Sequence, residues 1–409
     1  MECRKQVTKM VIGIIGGGAS GMAAAWEAAQ NPQVQVVLFE RQARLGRKLQ
    51  ATGNGRCNLS NIHEGKCHYH GQAPEFALPA LTRFDPAETV KWFHSIGLFT
   101  TTDPTGRVYP YSDQANSVVD VLRFALMKPN IQIRSGAEVS KLRRCEGGFL
   151  VDGEFFDKVI VACGGLAGTK LGGTMSGYQL LRSMGHRMTK LRPTLVQLKC
   201  SWSGIVALKG VRAECHAAIY RDDELHSEST GEIQFTEYGI SGPVIFEISR
   251  DACQGNGHWV CRLDLMPDVS AERLHQELLR RKDTDLTCED LLTGVVHNRL
   301  GRVIVKASGL SNACPIRELS DSQLWEVCEK LKSFEIPLTE PLGMDSAQVT
   351  AGGILTDEFD PDTMQSKLVP GLYACGEVLD IDGDCGGYNL QWAWSSGRCA
   401  GSHAGKDTP

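Results

Sequence analysis

Three closely spaced glycines near the start of the chain have the spacing of a phosphate-binding loop. Gly16, Gly18 and Gly21 follow a short apolar stretch and precede an alanine-rich stretch. This order predicts a buried strand, a tight turn and a helix whose first amides, at Ala19 and Ser20, face a pyrophosphate. In such loops the first glycine permits the turn, the second lets phosphate approach the backbone, and the third lets helix and strand pack closely. The sequence therefore predicts a dinucleotide-binding loop, with a chance glycine turn as the alternative.

An acidic residue ends the next apolar stretch. Glu40 follows residues 34–39, which read as a second strand. A carboxylate at this place accepts hydrogen bonds from ribose hydroxyls and disfavours a 2′-phosphate. A chance glycine turn would not need this acid. Glu40 and its neighbour Arg41 are therefore predicted to lie along the nucleotide.

A polar loop, GRKLQATGNGRCNLSN at residues 46–61, is the second motif. A surface turn would need its glycines but would have no reason to collect so many amide and hydroxyl donors. A loop that faces a flavin ring would use those donors to hydrogen-bond the ring and tune its electronics. We predict cofactor contact, against the alternative of a surface turn, for a set of six residues: Arg47, Lys48, Thr52, Gly53, Asn54 and Asn58.

The third motif lies near the C-terminus, at residues 371–397. A short strand ends at Gly376 and Glu377, an acidic loop begins at Asp380, and a helix is predicted over residues 388–396. Acids at three alternate positions suggest calcium, but the EF-hand spacing and its terminal Glu are missing, so no metal is predicted. The helix start at Gly387 is predicted to aim its amides and positive dipole at a reduced flavin.

Two other strands end in glycine. The stretch 158–162 runs into Gly164, and VTAGGIL at residues 349–355 contains Gly353. A buried strand that ends in glycine lets a cofactor come close to the backbone, which is the interpretation favoured at both places. For YGISGP, residues 238–243, an interdomain hinge is slightly favoured over substrate contact.

Composition excludes several classes of protein. A formal charge of −5 and a pI near 6.1 give no global attraction to nucleic acid or to an anionic membrane. The fifteen cysteines are irregularly spaced, and the basic segment 1–10 leads directly into the phosphate loop rather than into a cleavage site. No apolar run reaches the length of a membrane span. These features predict a cytoplasmic protein with reduced thiols.

The pattern of apolar residues that predicts secondary structure changes twice along the chain. Residues 1–190 and 345–409 have α/β character, which predicts one discontinuous nucleotide-binding domain. Residues 191–268 and 333–344 are predicted to form a β-rich insert, and residues 269–332 a helical insert. Within these inserts, strands are expected at residues 206–220 and 232–235, and helices at residues 271–282, 288–300 and 322–332.

These motifs occur together in one known family. Over nearly its whole length the chain resembles the bacterial BaiN-type flavoproteins, described variously as bile-acid reductases and aminoacetone oxidases. The resemblance rests on the glycine loop, the polar loop, YGISGPVIFEIS, VTAGGIL and GEVLDIDGDCGGYNLQWAWSSG. It implies non-covalent FAD in a two-part Rossmann-type domain, with an inserted β-rich, barrel-like domain and a small helical domain. It also implies that residues beyond the glycine loop, Glu40 and Lys48 lie along the cofactor: Val139, Gly376, Glu377, Asn389, Leu390 and Gln391. Asp380, in the acidic loop, is predicted to bind the cofactor as well.

The leading hypothesis is an FAD-dependent oxidoreductase that passes hydride through flavin N5. Since the insert has no second GxGxxG loop, NAD(P)H is expected to dock transiently at the open flavin face. No CxxC pair is present, so a dithiol relay is not expected. The favoured activity is reduction of a C=C bond in an unsaturated 3-oxo steroid or bile-acid-like substrate. The alternatives are an aminoacetone-type amine oxidase that uses oxygen, and a non-catalytic or RNA-modification-related flavoprotein.

Two questions stay open at this level. Aromatic residues of the insert, such as Phe235 and Trp259, could enclose an apolar substrate or form the core of the insert itself. Tyr109, Tyr388 and Arg56 are the candidate proton donors, and the sequence does not choose among them. His63, His68 and His70 resemble a metal cluster, but no other ligand pair has finger spacing, so a solvated loop is predicted there.

Overall fold

The computed structural model describes residues 9–63, 65–250, 252 and 254–406. The basic segment at residues 1–8, considered above, lies outside the described residues. The chain divides into two compact units, Met1–Arg192 with Gln348–Pro409, and Pro193–Ala347. The finer division of the insert into a β-rich and a helical domain stays a prediction.

The first unit is built on a five-stranded parallel sheet. Its central strands are almost wholly apolar and buried on both faces, as parallel strands covered by helices must be. The strands at the centre are those that the glycine loop and Glu40 follow directly. In spatial order the strands are Leu372–Ala374, Lys158–Val161, Met10–Ile15, Val34–Glu40 and Ile131–Ser135.

Two helices of this unit pack closely because glycines separate them. Ala19–Ala28 follows the glycine loop, and Tyr388–Ala404 is the long C-terminal helix. A Cβ atom at Gly397 or at Gly401 would overlap the backbone of the first helix. The other helices of the unit are Arg47–Gln50, Leu78–Arg83, Pro86–Ser95, Ala115–Ala125 and Ser176–Ser183.

Small sheets fasten the loops of the first unit. The strand Tyr69–His70 pairs with Asp382–Gly383, and Ser60–Asn61 pairs with Arg107–Pro110, which in turn pairs with Thr100–Thr102. An antiparallel hairpin sheet contains Leu142–Cys145, Gly148–Val151 and Glu154–Phe156. The short strand Val349–Ala351 also lies in this unit, and Arg192–Thr194 starts at the last residue of its first segment.

The second unit contains a closed six-stranded barrel with its own core. Phe235 and Trp259 belong to that core, so these two aromatic residues serve the packing of the insert. The helices of this unit are Pro243–Ile248, Ala271–Arg280, Asn298–Ala307 and Asp321–Lys332. The barrel strands are Leu198–Cys200, Gly239–Ser241, Glu224–Phe235, Arg212–Arg221, Trp259–Asp264 and Phe334–Pro341. The predicted fold class, a Rossmann-type domain with a barrel-like insert and helices, is confirmed.

Two predicted elements of the insert are wrong. The helix expected over residues 288–300 is a single turn, Cys288–Asp290, followed by a loop and then by Asn298–Ala307. Gly294 has φ +78°, which breaks a helix, and the His297 ring accepts the Arg299 amide and so caps a new one. The strand expected from residue 206 starts at Arg212, because residues 203–208 form a 3₁₀ turn. Elsewhere, the C-terminal helix extends beyond residue 396 to Ala404.

Among the described residues, no helix is both long enough and apolar enough to cross a membrane. The cysteines that the structure describes are free thiols.

Candidate functional site: a glycine loop joined to a polar loop

The three loop glycines have different surroundings. Gly16 has φ +111°, and a Cβ atom there would overlap the Ala162 carbonyl group. A Cβ atom at Gly21 would overlap the Gly16 carbonyl oxygen, so this glycine lets the helix approach the strand. Apart from Gly18 and its two chain neighbours, no atom of the described residues lies within 4 Å of where a Cβ atom of Gly18 would be. The space at Gly18 is therefore open to a phosphate group, as the sequence pattern requires.

Glu40 lies at the end of its strand and fastens the glycine loop. Its Oε2 accepts the Gly17 amide at 2.8 Å, and its Oε1 accepts the Gln42 amide at 2.6 Å. Each carboxylate oxygen has a second lone pair that can accept a ribose hydroxyl. The carboxylate is therefore placed beside the phosphate loop in the way that a ribose ligand would need.

Two basic residues near Glu40 have protein partners. The Arg41 guanidinium donates to the Gly172 carbonyl oxygen at 3.1 Å, and Arg47 donates to Gln42 Oε1 at 2.9 Å. These bonds hold neighbouring loops. Cofactor contact by Arg41 and Arg47 stays a prediction.

An ion pair joins the polar loop to the C-terminal motif. Lys48 Nζ lies 2.9 Å from Glu377 Oε2, and Glu377 Oε1 accepts the Thr350 amide at 2.8 Å. Thr350 belongs to the VTAGGIL stretch. Three motifs that the sequence separates by up to 329 positions therefore meet at one carboxylate.

The polar loop contains a buried acceptor without a donor. Gly53 and Asn54 have φ +56° and +55°, which makes the tight turn, and the Thr52 hydroxyl donates to the Leu49 carbonyl oxygen at 2.7 Å. Asn58 Oδ1 is buried and has no hydrogen-bond partner in the described part of the chain. A Cβ atom at Gly387 would lie 2.9 Å from this oxygen, so it faces the start of the C-terminal helix. A ligand N–H group would satisfy it.

The side chains at the helix start are engaged by the protein. Asn389 Oδ1 accepts the Gly383 amide at 2.8 Å, and its Nδ2 donates to the Gly383 carbonyl oxygen at 2.6 Å. Gln391 is buried, accepts the Ser60 hydroxyl at 2.7 Å and donates to the Phe84 carbonyl oxygen at 2.8 Å. Their predicted contact with a cofactor therefore depends on backbone amides. Leu390 is partly buried against the core.

Other predicted cofactor residues have mixed surroundings. Gly164 has φ +69° and open space where a side chain would be, whereas a Cβ atom at Gly353 would lie 2.6 Å from the Leu379 carbonyl carbon. Gly353 therefore allows close backbone packing. At Gly376 a Cβ atom would lie 2.9 Å from Ser20 Cβ, so this glycine makes room for a side chain. Two further predicted residues are buried, Val139 in the core and Asp380 with its Oδ2 3.2 Å from the Gln72 amide nitrogen.

Sequence reasoning missed a histidine pair on the C-terminal motif. His68 Nδ1 lies 3.0 Å from one oxygen of Asp384, and His70 Nε2 lies 2.6 Å from the other. The predicted solvated loop is therefore wrong for these two residues. Two histidines at alternate positions were the available signal, but their partner lies more than 300 positions away. No group of three or more His, Cys, Asp or Glu that could hold a metal ion is found among the described residues.

A buried Ser366–His186–Glu358 chain has the connectivity of a catalytic triad but not its chemistry. His186 Nε2 lies 3.0 Å from the Ser366 hydroxyl, and its Nδ1 lies 2.9 Å from Glu358. All three residues are buried, and the Ser366 oxygen also accepts the amides of Leu368 and Val369. A nucleophile needs a free lone pair and access to substrate, so this chain is structural.

The three candidate proton donors differ in their surroundings. Tyr388 is buried and its ring stacks on His68 at 4.2 Å. The Arg56 guanidinium pairs with Asp113, and the hydrogen bond with this carboxylate raises its pKa. Tyr109 has a buried ring beneath Arg56, with 4.3 Å between guanidinium and ring centroid. Its hydroxyl makes no hydrogen bond within the described part of the chain, and a Cβ atom at Gly53 would lie 3.7 Å from its ring.

Comparison with known proteins decides the family. The model of the HI0933-like protein Rossmann domain matches residues 10–403. The chain belongs to the HI0933-like family. Within it, the chain is 41% identical over 403 residues to the 3-dehydro-bile acid delta(4,6)-reductase of Clostridium scindens, covering 96% of this chain and 98% of the relative. It is 29% identical over 397 residues to the ribosomal RNA dihydrouridine synthase of Escherichia coli, covering 94% and 95% of the two chains.

A solved structure shares the fold of this HI0933-like protein. The 3-ketosteroid delta1-dehydrogenase of Sterolibacterium denitrificans superposes with a TM-score of 0.50 at 13% identity, covering 97% of this chain and 99% of that one. The predicted resemblance to BaiN-type flavoproteins is confirmed, and the chain is an FAD-dependent oxidoreductase. The open space at Gly18 and the unpaired acceptor at Asn58 fit the pyrophosphate and a ring N–H group of FAD.

Proposed function

We propose that this FAD-dependent oxidoreductase reduces a C=C bond conjugated to a carbonyl group in an unsaturated 3-oxo steroid or bile-acid-like substrate, with NAD(P)H as the hydride donor. The observation that carries the proposal is the 41% identity, over nearly the whole of both chains, to a 3-dehydro-bile acid delta(4,6)-reductase. The balanced reaction consumes the enone, NAD(P)H and one proton, and yields the saturated ketone and NAD(P)⁺.

The name of the second relative supports the same reaction class. Dihydrouridine differs from uridine by two hydrogens across a C=C bond that is conjugated to a carbonyl group. Both names, one for an activity on a bile acid and one for an activity on RNA, therefore describe the gain of two hydrogens across such a bond. An aminoacetone-type oxidase, the alternative from the sequence, would run the flavin in the opposite direction with oxygen as acceptor.

The charge of the insert favours a small substrate over RNA. Between residues 193 and 347 there are 24 Asp and Glu residues against 16 Lys and Arg residues. Proteins that bind RNA use clustered Lys and Arg to neutralise phosphates, and an acidic unit repels a polyanion. A steroid carries at most one carboxylate, so the acidic insert repels it less than it repels the many phosphates of RNA.

When bound, FAD would supply the hydride chemistry between NAD(P)H and the substrate. The protein must hold the ring, exclude water and provide a proton. Tyr109 is the group proposed for that proton. Burial raises its pKa, so the phenol is protonated at neutral pH, while the charges of Arg107 and Arg56 oppose that rise and stabilise the phenolate left after transfer.

Isotope labelling tests the proposed reaction. Purified holoenzyme is incubated under nitrogen with a 3-oxo-4-ene bile acid and with 4-deuterated NADH or NADPH, in H₂O and then in D₂O. We expect one deuterium from the nucleotide at the carbon remote from the carbonyl, and one from D₂O at the adjacent carbon. Labelled product from uridine in ribosomal RNA, with no labelled product from the steroid, would show that the substrate is RNA and not a steroid. Turnover of aminoacetone with oxygen alone would overturn the proposal.

A further inference from the structure

Two histidines from one loop share the carboxylate of Asp384. His68 Nδ1 lies 3.0 Å from its Oδ2, and His70 Nε2 lies 2.6 Å from its Oδ1. The strands Tyr69–His70 and Asp382–Gly383 pair beside this cluster, and the Asp384 amide donates to the His68 carbonyl oxygen at 2.9 Å. Backbone and side-chain bonds therefore hold Asp384 at one place.

The same cluster is joined to the first turn of the C-terminal helix. The His68 ring stacks on Tyr388, with 4.2 Å between centroids and 15° between planes. Asn389 Nδ2 donates to the Asp384 carbonyl oxygen at 3.2 Å. Tyr388 and Asn389 are the first two residues of that helix, so movement of Asp384 would displace the amides that are predicted to face the flavin.

The negative charge of Asp384 opposes the positive end of the helix dipole at the helix start. Burial alone would raise its pKa, but the hydrogen bonds and charges of His70 and His68 outweigh burial and lower it. The carboxylate is therefore ionised at neutral pH. A negative charge near the helix N-terminus offsets the positive end of the dipole, and protonated imidazoles restore it.

Imidazole differs from the other side-chain types around this cluster in the pH range over which it ordinarily gains a proton. Its ordinary titration lies between about pH 5 and 8, below that of thiols and phenols and above that of ordinary carboxyls. Arginine keeps its charge throughout. The titratable and charged side chains around the cluster lie on three elements: Cys67 and Tyr69 on the histidine loop, Asp380, Asp382 and Cys385 on the facing segment, and Tyr388 on the helix. Arg107 is also near, because its Nε would lie 3.3 Å from a Cβ atom at Gly386.

We propose that His68 and His70 are positioning residues for the flavin, and that their protonation offsets the Asp384 charge and raises the flavin reduction potential as the pH falls. A reduced flavin carries negative charge on its N1 and C2-oxygen side, so compensation of Asp384 favours the reduced form. The proposal shares one premise with the proposed function, that FAD binds in this unit. It does not depend on which substrate is reduced.

Potentiometry of the holoenzyme tests the proposal with substitutions of opposite sign. The two-electron midpoint potential of bound FAD is measured between about pH 5.5 and about pH 9, together with the FAD dissociation constant. His68→Gln combined with His70→Gln keeps N–H donors but cannot become charged. We expect its potential to fall below that of the wild-type protein at low pH and to coincide with it near about pH 9.

Asp384→Asn removes the charge that the histidines compensate. We expect its potential to exceed the wild-type value at high pH, where the imidazoles carry no charge to offset the carboxylate. His94→Gln is the matched control, because this histidine on Pro86–Ser95 is exposed and, among the described residues, its side chain hydrogen-bonds only Thr100. Its potential is expected to follow the wild-type curve.

Wild-type potentials at every pH in both the double variant and Asp384→Asn would overturn the proposal. If the double variant does not retain FAD, the Asp384→Asn curve decides alone, and the absence of a rise at high pH overturns it. Failure of the wild-type protein to reduce any enone would count against the proposed function and leave this comparison of potentials unaffected.

Discussion

Lys48 Nζ lies 2.9 Å from Glu377 Oε2, which ties the polar loop to the C-terminal motif. The two side chains are 30% and 20% exposed, so solvent screens the pair only in part. Since Glu377 also accepts the Thr350 amide, the carboxylate holds two loops at the predicted cofactor site.

Glu377→Gln should weaken FAD binding by about tenfold, which is about 1.4 kcal/mol, because it removes the charge that orients Lys48 and loosens both loops. Flavin fluorescence on titration of apoprotein measures the dissociation constant. Asp120→Asn is the control, since Asp120 forms an exposed pair with Arg123 in the same unit and should leave the constant unchanged. Equal constants for Glu377→Gln and the wild-type protein would contradict the role of this pair.

Glu40→Gln should reduce FAD retention more than it alters folding. The amide keeps one acceptor for the Gly17 amide but loses the charge that favours ribose hydroxyls. We expect about a tenfold rise in the dissociation constant of FAD and little change in the unfolding midpoint of the apoprotein. An unchanged flavin content after dialysis would show that Glu40 does not hold the ribose.

The local parts of this site were predictable from the sequence, because they depend on neighbours in the chain. The roles of Gly16, Gly18 and Gly21 follow from one strand, one turn and one helix. In the structure a Cβ atom would overlap neighbouring atoms at Gly16 and at Gly21, whereas the space at Gly18 is open. Asn58 was predicted to contact the cofactor, and its buried Oδ1 has no hydrogen-bond partner among the described residues.

The parts that join distant segments could not be predicted. Neither the Lys48 contact with Glu377 nor the sharing of Asp384 by His68 and His70 has a signature in spacing. Gln391 was expected along the cofactor, but its side chain is buried among Ser60, Phe84 and Thr89. A helix pattern shows which residues share a face, but it does not show which face a distant segment covers.

Tyr109→Phe should slow the step that consumes substrate and leave the step that reduces FAD unchanged. Loss of the phenol removes a general acid, and such groups contribute roughly 10²- to 10⁴-fold. Stopped-flow absorbance follows the two half-reactions separately. Tyr111→Phe is the matched control, because Tyr111 is 75% exposed and lies two positions away. A wild-type rate of flavin re-oxidation by the enone in Tyr109→Phe would exclude this tyrosine as proton donor.

Stability should fall on mild acidification because of His186. Burial lowers its pKa in the folded protein, and the Glu358 hydrogen bond and charge oppose that shift only in part. The unfolded chain therefore binds the proton more readily, and the free energy of unfolding decreases as the pH falls below about 6.5. Denaturant titrations at about pH 7 and about pH 5.5 measure the decrease, which should be smaller in His186→Gln. The same decrease in His94→Gln as in the wild-type protein is the expected control; an equal decrease in His186→Gln would contradict the assignment.

Anaerobic re-oxidation of the reduced enzyme tests the central claim most directly. The holoenzyme is titrated with NADH or NADPH until the flavin absorbance is bleached, and a 3-oxo-4-ene bile acid is then added under nitrogen. We predict that the nucleotide bleaches the flavin, and that the enone restores its absorbance with formation of the product that carries two more hydrogens. A flavin that neither nucleotide bleaches, but that aminoacetone does, would contradict the account.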